Sequence, residues 1–419
     1  MNLDIRQGRA WLTVLGGFLI MALLHSMIQT CFSLFMIPVT EDMGISRTTY
    51  SLCTSLVAIA TAVLAPTLGT LLGKSAYTRR IFILCIVCMG LSYASYSFAQ
   101  NIYHMYISAV FVGVFSCGAA SMPVSIILVN RFREHRGLAL SIALAGSGIG
   151  GSIITPVLTK LISQHGWRAG FLVFGLAMIV IEVPVALLLM QPCPERTDDL
   201  PCGLNGSPDA HAPGAQDPEA NIPLGELKRQ PFFYIYLIGM LSVSFVGYGS
   251  LAHLSIHLTD VYNPAFSNAL ISFFLLLLTP AKICLGWMYD RMGAKIANIV
   301  VMSFHAVSFL LLQTNGNESM MWIMAGCFSV GITNGTVAPS VVTAALFGTK
   351  DYGTIFGYVY SFCMLGMVLG SPVIALIYDL TGTYRLAWAT CFTMCLLTIV
   401  CLSYADRLCR KAVERELQA

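Results

Sequence analysis

Long apolar runs, each closed by a short polar or glycine-bearing turn, fill almost the whole of this chain. Twelve of them are long enough for an α-helix to cross roughly 30 Å of hydrocarbon, at about 11–38, 48–73, 81–99, 102–130, 137–164, 168–190, 232–259, 267–289, 296–314, 319–346, 352–379 and 385–404. The predicted fold class is therefore an all-α membrane protein of twelve transmembrane helices.

The turns repeat. Gly137, Gly150 and Pro156 recur 216 positions later as Gly353, Gly366 and Pro372, and Arg168 recurs one residue further on as Arg385. Each set opens with a short polar turn, runs through small apolar residues to a proline, and closes at an arginine-bearing turn. This predicts two parallel, pseudo-symmetric six-helix halves over 1–190 and 231–404, with a tail over 405–419. Between the halves, 191–230 is rich in Pro, Gly, Asp and Glu and reads as a solvated linker. Pro192-Cys193-Pro194 ends the sixth span sharply, and Leu224-Gly225-Glu226-Leu227 predicts a short surface helix. In a carrier built this way the substrate site lies between the halves near the bilayer midplane, and transport rocks one half against the other.

Composition strengthens this picture. Apolar residues make up 57% of the chain and charged residues 10%, against about a quarter charged in a soluble domain, so nearly every side chain must face lipid or another helix. With both termini inside, 18 of the 23 Lys and Arg fall on the cytoplasmic side, while Arg47, Arg168 and Arg385 fall in outer turns and Lys160 and Lys282 inside spans. The positive-inside rule predicts that orientation, in a cytoplasmic (inner) membrane. The net charge of +3 follows from topology and points to no nucleic-acid partner. The first span follows Arg6 and Arg9, is too long for a signal-peptide core and lacks a small-x-small cleavage site, so it is expected to stay.

The fourteen cysteines lie mostly in apolar spans, where a thiol packs as a small hydrophobe. Cys85 and Cys88 form a C-x-x-C inside a span, with no second pair or histidine cluster nearby, which reads as packing rather than metal or redox chemistry. No cofactor and no metal is expected.

The turn after the eighth span reads Gly286-Trp287-Met288-Tyr289-Asp290-Arg291-Met292-Gly293, with Lys295 beyond. Glycines permit a tight turn and close helix contact, and an Asp-Arg pair locks neighbouring helix ends in one state and releases them in another. The plainer reading is that Asp290 and Arg291 anchor the span at the interface. The first-half turn keeps Gly69, Gly73, Lys74, Arg79 and Arg80 but no acidic residue. The eighth-span turn resembles the G-x-x-x-D-R-x-G signature of the major facilitator superfamily. Asn130-Arg131-Phe132, followed by Arg136-Gly137-Leu138-Ala139 and Ala145-Gly146-Ser147-Gly148-Ile149-Gly150, resembles the entry to helix five in the monocarboxylate transporter and oxalate/formate antiporter group. Leu346-Phe347-Gly348 with Tyr352-Gly353, and Arg229-Gln230-Pro231-Phe232, resemble the same group. The resemblance implies the major facilitator fold; Gly146, Gly150, Gly366 and Gly370 read as packing positions.

Lys282 carries the chemistry. It lies eight residues before Asp290, about 12 Å along a helix, in a span with no acidic residue, where an ammonium costs at least about 2.5–3.5 kcal/mol. A substrate carboxylate would compensate; the alternative is a lysine snorkelling to the interface. In the resembled group a helix-eight arginine binds the substrate carboxylate, and Ala281-Lys282-Ile283-Cys284-Leu285-Gly286 aligns with it. Lysine keeps the charge and loses the bidentate fork. A second, helix-eleven cation of the oxalate/formate antiporters aligns with Val359, and helix-ten aromatics that cage a small anion align with Gly331 and Gly335, while Phe356 keeps an aromatic position. The resemblance thus implies one carboxylate in a pocket roomier than one built for oxalate. The first-helix lysine and helix-eight aspartate of animal-type monocarboxylate carriers are replaced by Thr30 and by Leu278 and Thr279.

Gln29, aligned with a first-helix glutamine of that group, and His25, one turn away on the same face, are further substrate-binding candidates. Asn334 and Tyr360 are candidates to line the cavity. His253 and His257 share a face of the seventh span and are proton-coupling candidates, though each reads equally as an interhelical hydrogen-bond donor. Glu182 is costly in lipid on a helix that is peripheral in the resembled fold, where protonation or a local partner is expected.

The resulting expectation is a monomeric secondary transporter of an organic monocarboxylate, working by alternating access with proton symport or anion exchange. Its partners are a small organic anion, membrane lipid and, for symport, protons. One alternative is efflux of amphipathic compounds through a Met- and Phe-rich cavity in which Lys282 is incidental. From another class, a membrane receptor or enzyme is opposed by the lack of an H-E-x-x-H or G-x-S-x-G motif and of a soluble sensor domain.

Overall fold

A computed structural model describes residues 2–73, 75–190, 222–314 and 317–418. The chain separates into two compact units, Met1–Pro208 and Asp209–Ala419. Most of the expected linker, 191–221, lies outside the described residues, as does Lys74; the remainder of the linker begins with the short helix Leu224–Leu227.

Among the described residues, ten helices are long and apolar enough to cross a membrane. Two of them, Arg136–Leu188 and Pro264–Thr314, are each broken by a single residue, Gly166 (φ 79°, ψ 168°) and Gly293 (φ 78°, ψ 163°). That backbone combination is open to glycine alone without strain, so each long helix is two spans joined at one glycine. The twelve spans are α1 (Ala10–Gln29), α2 (Arg47–Gly73), α3 (Thr78–Phe98), α4 (Ile102–Arg131), α5 (136–165), α6 (167–188), α7 (Pro231–Val261), α8 (264–292), α9 (294–314), α10 (Glu318–Phe347), α11 (Tyr352–Thr381) and α12 (Arg385–Ala412). The helix begun at Arg385 runs on through the expected tail as far as Gln418.

Two spans carry a further break. α4 is interrupted at Ala120 and α10 at Thr333; Pro123 and Pro339, 216 positions apart, follow the breaks and supply no N–H to the preceding turn. α1 has no such residue, yet it passes through a π-helical turn at Met21–His25 and leads beyond Gln29 through a 3-10 turn, Cys31–Phe35, into the helix Met36–Met43.

Within the first unit α1 packs on α5, α2 on α4 and α3 on α6; within the second, α7 packs on α11, α8 on α10 and α9 on α12. Glycine sets the closest approaches. A Cβ at Gly146 would strike the Phe18 carbonyl and one at Gly150 that of Ala22, while Gly366 and Gly370 sit in the same way on the Leu241 and Phe245 carbonyls. Backbones this close gain dispersion contact that lipid would otherwise supply.

Candidate functional site

On α8, Lys282, Leu285, Gly286 and Tyr289 are buried at i, i+3, i+4 and i+7 and so share one face. Pro280, two residues before Lys282, has no N–H for the Leu276 carbonyl. Lys282 is 4% exposed, which a lysine snorkelling to the interface would not be. Tyr289 is the polar centre two turns on: its hydroxyl lies 2.8 Å from Asn298 Oδ1 of α9 and 2.8 Å from Asn334 Oδ1 of α10. Asn334 is fully buried, and its Nδ2 has no partner among the described residues. Its carboxamide oxygen thus braces α8 against α10. Tyr289 and Asn298 were not singled out from sequence; the signal was a buried-face tyrosine two turns after Lys282.

On α11, Phe356 is buried between Tyr352 (ring centroids 5.2 Å apart, 10° between planes) and Tyr360 (5.9 Å), one turn to either side. Tyr352 donates to the Ser340 carbonyl of α10 at 3.1 Å, and Tyr360 remains half-buried. Val359 is fully buried. The two α10 glycines behave differently. Gly335 faces the Tyr248 ring of α7 at ordinary contact distance, so it does leave room. Gly331 leaves none: a Cβ there would run into the Cβ and ring of His305 from α9, so the missing side chain makes space for that histidine rather than for a ligand.

The remaining substrate-binding candidates are in the first unit. His25 ends the π-helical turn and Gln29 lies one turn on, both half-buried. The turn is pinned from behind, with Ser26 Oγ donating to the Ser147 carbonyl of α5 at 2.7 Å and Gly150 against Ala22. A π-helical turn re-aims the side chains beyond it and is frequent at functional sites.

His253 and His257 are brought together on Tyr384 of the second unit, with ring centroids 5.8 and 5.4 Å from it. His253 bonds Tyr384 through Nδ1 (3.3 Å), and its Nε2 meets the Ser371 carbonyl (3.0 Å) and Oγ (3.1 Å). His257 packs edge-on against Trp388 at 5.4 Å. These contacts join α7 to α11 and α12, and none of them involves Lys282.

In the expected gating turn Gly286 is buried, Asp290 half-buried and Arg291 exposed with its guanidinium 5.9 Å from the Trp287 ring centroid, and Gly293 supplies the break. Arg79 donates to the Leu187 carbonyl at 2.7 Å, a favourable cation at the end of α6; Arg80 is exposed. The turn between α5 and α6 holds a feature the sequence reading missed. Asp42 Oδ2 accepts from Arg168 Nη1 at 2.7 Å and from Trp167 Nε1 at 3.1 Å, with the guanidinium 4.1 Å from the Trp167 ring centroid. Arg168 first, and Trp167 with it, hold the Asp42 carboxyl below its ordinary range. Cys85 is buried where Gly118 of α4 leaves space for its sulfur.

The model of the Major Facilitator Superfamily matches residues 18–346. Monocarboxylate transporter 12 of Rattus norvegicus is 23% identical over an alignment covering 95% of this chain and 85% of the relative. Monocarboxylate transporter 11 of Homo sapiens is 25% identical, covering 79% and 69%. Among solved structures, the fucose:proton symporter FucP of E. coli superposes with a TM-score of 0.68 at 13% identity, covering 95% of this chain and 98% of that one; a structure of FucP in the outward conformation gives 0.70 at 12%. With twelve apolar spans, a twice-used helix pairing and a family match over most of its length, the chain is a multi-pass membrane transporter that belongs to the Major Facilitator Superfamily.

Proposed function

We propose that the protein carries an organic monocarboxylate across the cytoplasmic membrane by alternating access of its two halves, with both termini cytoplasmic and with proton symport or anion exchange as the coupling. The observation that carries this reading is Lys282, a lysine 4% exposed in the middle of an apolar span. A cation so placed favours an anion over a neutral or cationic solute, and the relatives named monocarboxylate transporters agree with that charge preference. One cation pairs one carboxylate. A second carboxylate would be desolvated beside Val359 without a partner, which costs several kcal/mol, on the order of 10²-fold or more in affinity. The room at Gly335 suits an apolar tail; Gly331 contributes none.

A thermal-shift screen of the purified protein against monocarboxylates, dicarboxylates and cationic amphiphiles tests this, because a ligand at 100 times its Kd stabilises the folded carrier by about 2.7 kcal/mol. The expected result is stabilisation by lactate-sized or larger monocarboxylates and none by oxalate. Stabilisation by oxalate or by cationic amphiphiles, with monocarboxylates inert, would overturn the reading.

A further inference from the structure

Glu182, in α6, is fully buried, and neither carboxyl oxygen has a hydrogen-bond partner among the described residues. The helix contact around it is tight. A Cβ at Gly175 would meet the Ala94 backbone of α3, and one at Gly90 would meet the Ile179 side chain of α6, a register that sets residue 183 opposite 86. One turn beyond, Arg79 of α3 closes the contact on the Leu187 carbonyl.

The ionisable groups on the elements packed against α6 are Arg79, Arg80, Cys85, Cys88, Tyr93 and Tyr96 on α3, His25 on α1, and Cys31, Glu41 and Asp42 on the segments that follow α1. None bonds the carboxyl. A bare carboxylate in such surroundings is strongly disfavoured against the neutral acid.

We propose that Glu182 is a proton-binding site that latches α6 to α3: the packing seen here holds the carboxylic acid, and release of its proton to water requires the two helices to part far enough to hydrate the carboxylate. The step exchanges one proton with solvent and needs no other reactant. It depends neither on Lys282, which belongs to the other unit, nor on the identity of the transported anion.

Hydrogen exchange of peptides spanning 175–188, followed by mass spectrometry on the purified full chain across a pH series, reads the opening directly. Amide chemistry alone gives a slope of about one in log rate per pH unit, and an opening that releases one proton adds about one more. The expected slope is about two for the unmodified protein and about one for Glu182→Gln. Glu182→Thr, a smaller side chain whose hydroxyl can bond the carbonyl four residues back in its own helix, supplies the slope of about one should the glutamine variant fail to fold. Infrared absorption at neutral pH gives a second readout: the carbonyl stretch of a carboxylic acid free of hydrogen bonds, present in the unmodified protein and lost in either variant. An unmodified slope near one, the same slope in variant and parent, or no acid band in the unmodified protein overturns the proposal.

Discussion

The first unit secures the turn between α5 and α6 with an ionic clamp, and the second secures the matching turn before α12 with stacked rings. Trp167 and Arg168 converge on Asp42. Their counterparts, one position past the 216 offset, are Tyr384 and Arg385, and there the ring does the holding: Tyr384 lies 4.4 Å from Tyr378 and 5.5 Å from Trp388 between centroids, with His253 and His257 against it. Arg385 is exposed. The arginine recurs without the contact it makes in the first unit. Backbone contacts between helices behave otherwise, because Gly146 and Gly150 of α5, packed on α1, and Gly366 and Gly370 of α11, packed on α7, all face carbonyls that admit no side chain. Where two main chains touch, one residue type fits; where side chains fill a space, several sets do, and the halves have diverged.

That contrast is open to breaking, first at the glycines. Gly150→Ala and Gly366→Ala each drive a Cβ into backbone, and each is expected to lower stability by about 1–3 kcal/mol, read by thermal unfolding in detergent. Equal losses in the two units would show one packing device used twice; a loss in one alone would end the equivalence. Gly166→Ala and Gly293→Ala meet open space but force a backbone open only to glycine, at about 1–3 kcal/mol of strain. An unchanged midpoint for either would show that the break does not need its glycine.

The next test sharpens the difference. Tyr289→Phe removes the hydroxyl that Asn298 and Asn334 share, and a buried carboxamide left unmet costs about 1–3 kcal/mol. The first unit has Gly73 at the corresponding position, so no matching variant exists there. The smallest effect belongs to the clamp. Because Arg168 and Trp167 hold the Asp42 carboxyl below its ordinary range, the stability it supplies is present above the unfolded value and lost as pH falls through the folded one. Asp42→Asn should therefore melt below the parent at neutral pH and converge with it in acid, whereas Arg385→Ala should leave the profile unchanged.

Much of this architecture was legible in the sequence, for definite reasons. The twelve spans follow from apolar runs alone, and the breaks at Gly166 and Gly293 fall in the turns those runs predict, although the helix continues to either side of each. The π-helical turn at Met21–His25 was not legible, because no proline or glycine marks it and its supports, Ser147 and Gly150, lie more than a hundred residues away. Gly331 was misread for a related reason: a missing side chain reveals space but not its occupant, and the occupant is His305 of another helix. Lys282 stood out as a charge in an apolar span, whereas its neighbour Tyr289 gains meaning only once α9 and α10 bring Asn298 and Asn334 to it.

The central claim is that Lys282 holds the carboxylate of the transported anion. Uptake of labelled lactate into proteoliposomes, with Lys282→Gln and Lys282→Arg beside the parent and size-exclusion profiles confirming the fold, tests it most directly. The account predicts uptake lost in the glutamine variant, since the charge is gone, and partly kept in the arginine variant, since the charge stays and only its shape changes. Full uptake by Lys282→Gln would contradict it.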